Sequence, residues 1–247
     1  MPLINANIVP NAVTVGFQLA LAQGKKWNHA DVQAAKNVLV ACLIVAQGSR
    51  CAYCQRLIKD EIGHRELDHI LPKGATGKAA RWVSNLAVHR RSTAGYPQYR
   101  FEPKNLILTC KRCNHRKGNY DCRANRLLAA GLAYPAAAAD FQWIHPFHHD
   151  YDGHITLLKD FVYQAIPGSN GLAVIEACKL QGIQALEARA RELHRQQLKD
   201  ANKLTLQMLI DDSADNDIVD AVAHQFPLVA KGEVRRLLRG YHKNKIA

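Results

Sequence analysis

Residues 105–118 read NLILTCKRCNHRKG, and residues 66–73 read ELDHILPK. Short β-prone runs in these stretches predict strands around residues 65–70 and 106–109, with a helix from Asn114 onward. Successive side chains of a strand point to opposite faces, so Asp68 and His69 can reach different partners. One can therefore ligate a cation while the other approaches a substrate. An Asp-His pair alone is weak support for a catalytic site, because a single histidine is usually a packed or surface residue.

Two CxxC pairs flank this region, Cys51 with Cys54 and Cys110 with Cys113. Four thiolates of this kind suit a tetrahedral zinc ion in a reducing compartment. A closed site of four thiolates has no open coordination position, so we expect a structural zinc. The 55 residues between the pairs exceed the spacing of a simple zinc ribbon, so another element must be built between them. The alternative is two unrelated pairs, or a redox CxxC that lacks its usual βαβ context.

The positive charge of the chain is concentrated in one block. The net charge is +12, and residues 50–123 carry 16 Lys and Arg against six Asp and Glu. Residues 124–247 carry 14 of each kind. A localised basic surface attracts polyanions, and phosphate contacts supply most non-specific affinity for nucleic acid. The composition predicts a folded protein that contacts nucleic acid, against the alternative of one that is merely basic.

A second metal site is predicted from oxygen ligands. Asn114 follows the second cysteine pair directly and can offer an amide oxygen to the cation that Asp68 binds. Such an oxygen-rich pair suits Mg²⁺, which keeps several waters and completes its shell with substrate phosphate.

The run CxxC, DHILPKG, NLILTCKRCN and RKG resembles the HNH (ββα-metal) endonuclease family in its zinc-knuckle form. The resemblance covers about a quarter of the chain, from Cys51 to Gly118. It implies an α+β fold in which a ββα-metal core with a four-cysteine structural zinc is embedded in a mainly helical chain. It also implies that His69 is the general base, that Asn105 orients His69 through its backbone, and that Asp68 and Asn114 bind one catalytic Mg²⁺ or Mn²⁺.

Several assignments have competitors. His115 competes with Asn114 for the metal, although the position just after the knuckle favours Asn114. Asn85 competes with Asn105, which lies correctly ahead of the second cysteine pair. The phosphate-binding residues are expected to be Lys73, Arg112, Arg116 and Lys117.

The remaining segments are less specific. Residues 75–102 look inserted, and their basic and aromatic residues suit either a nucleic-acid surface or a packed loop. The His- and Asp-rich residues 144–154 predict a structural segment or a second metal site, and loosely resemble segments of HNH nucleases in anti-phage operons, including Septu-type subunits. Helices are expected at 28–47, 172–210 and 232–245, and a strand pair at 156–166 turning at 168–171. The expected domains are 1–49, 50–123 and 124–247.

The sequence thus predicts a DNA endonuclease, with a role as an anti-phage defence effector and a regulatory protein partner. The alternatives are an RNA (tRNA) endonuclease and a catalytically silent zinc module that binds nucleic acid. Residues 12–22 faintly resemble a signal segment but lack a basic start, and no run approaches the roughly 20 apolar residues of a membrane span. The expected location is cytoplasmic, without membrane contact.

Overall fold

Two compact units make up the chain in the computed structural model. The structure describes residues 3–58, 64–74, 92–126 and 128–245. The first unit comprises Met1–Leu158 and Val162–Gly182, and the second comprises Lys159–Phe161 and Ile183–Ala247. The boundary expected after residue 49 therefore falls inside the first unit, and the segment from residue 124 contributes to both.

An antiparallel strand pair followed by a helix lies at the centre of the first unit. Strand β1 (Arg65–His69) pairs with β2 (Leu106–Cys110), so that Asp68 faces Ile107 and His69 faces Leu106. Both strands lie where the short β-prone runs predict them. Helix α3 (Lys111–Lys117) begins three residues earlier than predicted, because Cys110 takes the extended backbone of an N-cap. Asn114 therefore lies inside the helix, three residues before Lys117 and on the same helix face.

Two helices of the first unit precede β1. Helix α1 (Asn11–Ala22) was not predicted, whereas α2 (Ala30–Ala46) lies within the predicted range 28–47. The N-cap of α2 is His29, whose ring accepts a hydrogen bond from the backbone of the first turn. Beyond α2, the buried Gln47 amide bonds both the N–H and the C=O of Leu108 at 2.9 Å. These two bonds attach the end of α2 to β2.

A second hairpin follows residue 154. Strands β3 (Ile155–Leu158) and β4 (Val162–Ala165) pair where a strand pair is predicted. The predicted turn at 168–171 is wrong, since the chain turns at residues 159–161. Gly171 instead begins helix α4 (Gly171–Cys178), where a Cβ would lie 2.0 Å from the His154 carbonyl oxygen.

The second unit consists of three helices with their own apolar core. They are α5 (Ile183–Ile210), α6 (Asp215–Gln225) and α7 (Lys231–Lys245). The predicted helix 172–210 is broken between α4 and α5, where Lys179 adopts a left-handed backbone with φ of 50°. The buried core residues of this unit are Ala201, Ile218, Val219, Val222, Val229, Val234 and Leu238.

The described residues form a mixed fold of helices and two small sheets, which confirms the α+β class. Short 3-10 helices lie at Ala6–Ile8, Pro97–Tyr99, Pro103–Asn105, Ala138–Asp140 and Tyr151–Gly153. Among the described residues, no helix combines the length and apolar character that a membrane span requires.

Candidate active site and zinc-binding cluster

The two cysteine pairs meet in one cluster. The Sγ atoms of Cys51, Cys54, Cys110 and Cys113 all lie within 4.8 Å of one another. The Cys54 and Cys110 sulfurs are 3.9 Å apart, close to the ~3.8 Å that tetrahedral Zn–S bonds of about 2.3 Å require. Within the described ranges this is the one group of three or more His, Cys, Asp or Glu residues that could hold a metal ion. The donor set therefore fits zinc.

Local backbone bonds build the first cysteine loop against β2. The Ala52 N–H donates to the Leu108 carbonyl, and the Gln55 N–H donates to the Cys51 carbonyl. Tyrosines from the hairpin region hold the outer side of this loop: Tyr151 donates to the Tyr53 carbonyl at 3.0 Å, and Tyr163 donates to the Cys54 carbonyl. The cysteine loop is thus held by β2 and by residues that follow it by about a hundred positions.

The Asp68 carboxylate is buried and bonded on two sides. Its Oδ2 accepts a hydrogen bond from the Tyr53 hydroxyl at 2.7 Å and lies 3.2 Å from the Lys117 ammonium. The Lys117 Nζ also donates to the His69 carbonyl at 2.7 Å. Burial raises the pKa of Asp68, and the nearby Lys117 charge opposes that shift. Lys117, expected on a phosphate-binding surface, is instead buried beside Asp68.

The His69 ring has a defined tautomer. Its Nε2 lies 2.9 Å from the Arg100 carbonyl oxygen, which can only accept, so Nε2 carries the proton and Nδ1 holds the lone pair. The Trp27 ring packs against it edge-on, with centroids 4.5 Å apart. His69 is only 5% exposed, and burial, followed by the charge of Lys73, lowers its pKa to about 3. The His69 ring is therefore neutral at pH 7, because that pH lies further above its lowered pKa than above its ordinary pKa.

Asn105 fixes the backbone that follows His69 and the segment that holds the His69 ring. Its Oδ1 accepts from the Leu71 N–H at 2.7 Å, and its Nδ2 donates to the carbonyls of Leu71 and Tyr99 at 3.0 and 3.1 Å. Leu71 follows His69 by two residues, and Tyr99 precedes the Arg100 carbonyl that holds the His69 ring. The geometry suits the orienting role expected of Asn105. The competing Asn85 lies outside the described residues.

Two further residues hold the Asn105 side chain in place. Neither of them was assigned this role from the sequence. The Tyr134 hydroxyl donates to Asn105 Oδ1 at 3.1 Å and lies 2.9 Å from His145 Nε2. Because the hydroxyl proton is committed to Asn105, His145 Nε2 must donate. Burial lowers the pKa of His145 well below its ordinary value, so it is neutral. In this structure the His-rich segment thus contributes a buried polar chain that ends on Asn105.

Asn114 lies beside this network but is bonded to another partner. Its Nδ2 donates to Glu66 Oε2 at 2.8 Å, which leaves its oxygen as the atom able to ligate. Glu66 and Asp68 share one face of β1, and Asn114 and Lys117 share one face of α3. The structure therefore brings Asp68, His69 and Asn105 into one network and places Asn114 next to it on Glu66, a partner that sequence reasoning missed. His115 is exposed.

The other expected phosphate-binding residues are spread more widely. Lys73 lies over the Trp27 ring, 5.3 Å from its centroid. Arg112 reaches the Lys179 carbonyl at 3.5 Å, and Arg116 is exposed. Of the inserted residues 75–102, those at 75–91 lie outside the described residues.

Comparison with known proteins gives one distant similarity. No protein-family model matches the chain. The Septu protein PtuB of Bacillus thuringiensis is 25% identical over 101 residues, which is 41% of this chain and 32% of that relative. The match thus spans about a third of the relative's length. It agrees with the resemblance to Septu-type proteins, while HNH nuclease activity stays a prediction.

Proposed function

We propose that this protein is a metal-dependent endonuclease that hydrolyses phosphodiester bonds by an HNH mechanism. The observation that carries the proposal is the His69 ring, fixed by the Arg100 carbonyl through Nε2 and followed by a loop that Asn105 pins, directly beside the buried Asp68 carboxylate. A structural histidine does not require an adjacent buried acid and a dedicated amide to set its backbone. A general base does, because its lone pair must be aimed.

In this mechanism His69 takes the proton. A water molecule attacks phosphorus, its proton passes to His69 Nδ1, and the bond from phosphorus to the leaving oxygen breaks. The low pKa of His69 keeps Nδ1 available but makes it a weak base. A substrate phosphate carries negative charge, and its approach raises the pKa of a neighbouring imidazole. Binding would therefore strengthen the base at the moment it is needed.

Asp68 and Asn114 are the proposed ligands of a divalent ion, Mg²⁺ or Mn²⁺. The donor set fits, since Asp68 is a buried carboxylate that already has a cation, the Lys117 ammonium, beside it. When bound, the ion would neutralise charge on the phosphate oxygens and the leaving oxygen. Lys117 would then be free of Asp68, and its remaining bond to the His69 carbonyl would keep it at the site.

The four-cysteine cluster is proposed to hold a structural zinc. The first pair lies on the loop after α2, and the second lies at the junction of β2 and α3. Zinc would therefore join the loop that carries Tyr53, the hydrogen-bond donor to Asp68, to the helix that carries Asn114 and Lys117. The catalytic residues depend on this clamp for their relative positions.

The proposed substrate is DNA and the proposed role is anti-phage defence. The similarity to a Septu protein supports the defence role, and the basic block supports a nucleic-acid substrate. RNA, including tRNA, is the alternative substrate. A catalytically silent zinc module is the alternative of another class, and cleavage assays separate the three.

The direct test is plasmid cleavage by zinc-loaded protein with and without Mg²⁺ or Mn²⁺. We expect His69→Ala to lower the rate at least ~100-fold, as loss of a general base does, with zinc content and secondary structure unchanged. The matched control is His115→Ala, which removes the exposed neighbouring imidazole and should cut at the wild-type rate. A labelled tRNA assayed in parallel decides the substrate.

Three results would overturn parts of the assignment. Undiminished metal-dependent cleavage by His69→Ala would remove His69 as the base. Loss of metal-dependent cleavage in His115→Ala would move the ligand role from Asn114 to His115. Wild-type protein that binds DNA and tRNA but cuts neither would support the silent module.

A further inference from the structure

The connection between α1 and α2 reaches the proposed catalytic base. Trp27, in this connection, is half-buried and packs on His69, and it also contacts Phe17 and Phe101 with centroid separations of 6.1 and 5.8 Å. The N-terminal helices therefore contribute an aromatic wall to the site, although the sequence had assigned them no functional role.

Two lysines from different parts of the chain converge on this wall. The Lys36 ammonium, from α2, lies 4.8 Å from the Trp27 ring centroid, and the Lys73 ammonium lies 5.3 Å from it. Each makes a cation–π contact, which stabilises one ammonium over the face of the ring. Two like charges over one ring repel each other. The Lys36 charge lowers the pKa of Lys73, and both lysines lower the pKa of His69. Packing alone gives no reason to bring both there.

Arg100 adds a third cation and an unsatisfied donor. Its guanidinium lies 5.2 Å from the Phe101 ring centroid, and its charge is close enough to lower the pKa of Lys73. The Arg100 Nε atom is buried without a hydrogen-bond partner in the described part of the chain. A buried N–H that lacks an acceptor destabilises the fold, so such atoms are usually satisfied by a ligand or water. None of the three cations forms a salt bridge with a carboxylate of the described residues.

We propose that Lys36, Lys73 and Arg100, gathered around the Trp27 and Phe101 rings beside His69, bind a phosphate of the nucleic-acid strand next to the one that is cut. The site takes a phosphodiester, since three donors of positive charge and one unfilled N–H match an oxyanion. The N-terminal helices are then part of the substrate site, through Trp27 and Lys36. This inference rests on the proposed nuclease function, because it is His69 that sets where the strand must pass.

The test is the salt dependence of DNA binding. The zinc-loaded full chain is titrated with a fluorescently labelled DNA duplex, without added Mg²⁺ or Mn²⁺ so that no cleavage occurs. We expect Lys36→Met to weaken binding and to reduce the slope of log K against log salt by about 0.9, the value for one lost phosphate contact. Methionine keeps an aliphatic chain over Trp27, so packing is retained and thermal unfolding should not change. Arg100→Met is expected to behave in the same way.

The matched control is Lys199→Met, which removes one exposed lysine from α5 in the second unit. It should leave both affinity and slope at wild-type values. A wild-type slope in Lys36→Met, or an equal fall in Lys199→Met, would overturn the proposed phosphate site.

Cleavage assays distinguish failure of the proposed phosphate site from failure of the proposed nuclease function. If wild-type protein cuts DNA and Lys36→Met raises KM with kcat nearly unchanged, both are supported. If wild-type protein cuts and Lys36→Met has wild-type KM, the phosphate site is wrong while the nuclease stands. A protein that binds DNA through Lys36 yet cuts nothing would contradict the nuclease alone.

Discussion

The cysteine cluster and the Asp68 site lie in the same strand–helix unit but are built in opposite ways. The cluster brings four potential anions together, and burial raises the pKa of Cys51 well above its ordinary value, so without a cation its thiol keeps its proton. Asp68 instead has protein partners, the Tyr53 hydroxyl and the Lys117 ammonium. One site is a set of four thiols that could hold a metal ion, whereas the other is already neutralised by the chain itself.

This difference implies different roles for metal at the two positions. A cluster that only a metal can complete couples ion binding to folding. A carboxylate with an internal cation can fold first and exchange that cation for a divalent ion later. The comparison therefore predicts that the loss of zinc harms the fold, and that the absence of Mg²⁺ does not.

The largest expected effect follows from removing one thiolate. Cys113→Ser should abolish stable zinc binding and lower the unfolding temperature sharply, because structural zinc sites contribute about 10 kcal/mol or more in small zinc modules. The measurements are zinc content by mass spectrometry and thermal unfolding. Cys42→Ser is the matched control, since Cys42 lies on α2 outside the cluster, and should keep its zinc. Equal zinc loss in both variants, or none in Cys113→Ser, would contradict a four-cysteine site.

A smaller effect is expected when the internal cation of Asp68 is removed. Lys117→Met leaves a buried carboxylate without its ion-pair partner, which typically costs about 3–5 kcal/mol. If Asp68 is a metal ligand, Mg²⁺ should restore part of this stability, and its effect on the variant should exceed its effect on the wild type. Chemical unfolding with and without Mg²⁺ measures the difference. The control is Lys117→Met combined with Asp68→Asn, in which Mg²⁺ should restore nothing. Equal Mg²⁺ effects in all three proteins would remove Asp68 from the metal site.

The parts of this fold that depend on local pattern could be predicted. The strands at 65–69 and 106–110 follow from short β-prone runs, and the cysteine cluster follows from spacing. The turn of the second hairpin was misplaced because Gly168 and Gly171 give a strong turn signal. The actual turn has Lys159 and Asp160 in left-handed backbone, with φ of 47° and 63°. Lysine does not predict such a turn, and one aspartate, although common in turns, is a weaker signal than two glycines.

The partners of the site residues could not be predicted, for a different reason. Tyr53 bonds Asp68 across 15 positions, Tyr134 bonds Asn105 across 29, and Asn114 bonds Glu66 across 48. Such contacts arise from tertiary packing, and neither periodicity nor spacing encodes them. The motif predicts which residues carry the chemistry, while the structure shows what holds each of them.

The smallest predicted effect concerns the polar chain behind Asn105 and depends on pH. His145 is buried and neutral, with a pKa well below its ordinary value of 6.5. As the pH falls below 6.5, the unfolded chain therefore binds a proton at His145 that the folded chain does not. The contribution of neutral His145 to the unfolding free energy is thus fully present above pH 6.5 and declines at lower pH. From about pH 7.5 to about pH 5.5, one such histidine accounts for about 1.4 kcal/mol of lost unfolding free energy.

His145→Gln should lose that much less stability than the wild type over the same interval, because glutamine cannot titrate. Other buried histidines and the cysteine cluster also respond to acid, but they contribute to both proteins and cancel in the difference. Tyr134→Phe is the control: it breaks the chain to Asn105 yet keeps the buried imidazole, so its pH dependence should match the wild type. If Tyr134→Phe flattened the profile and His145→Gln did not, the acid sensitivity would belong to the hydrogen bonds on Asn105. The Tyr134 hydroxyl, and not the His145 imidazole, would then determine how Asn105 responds to acid.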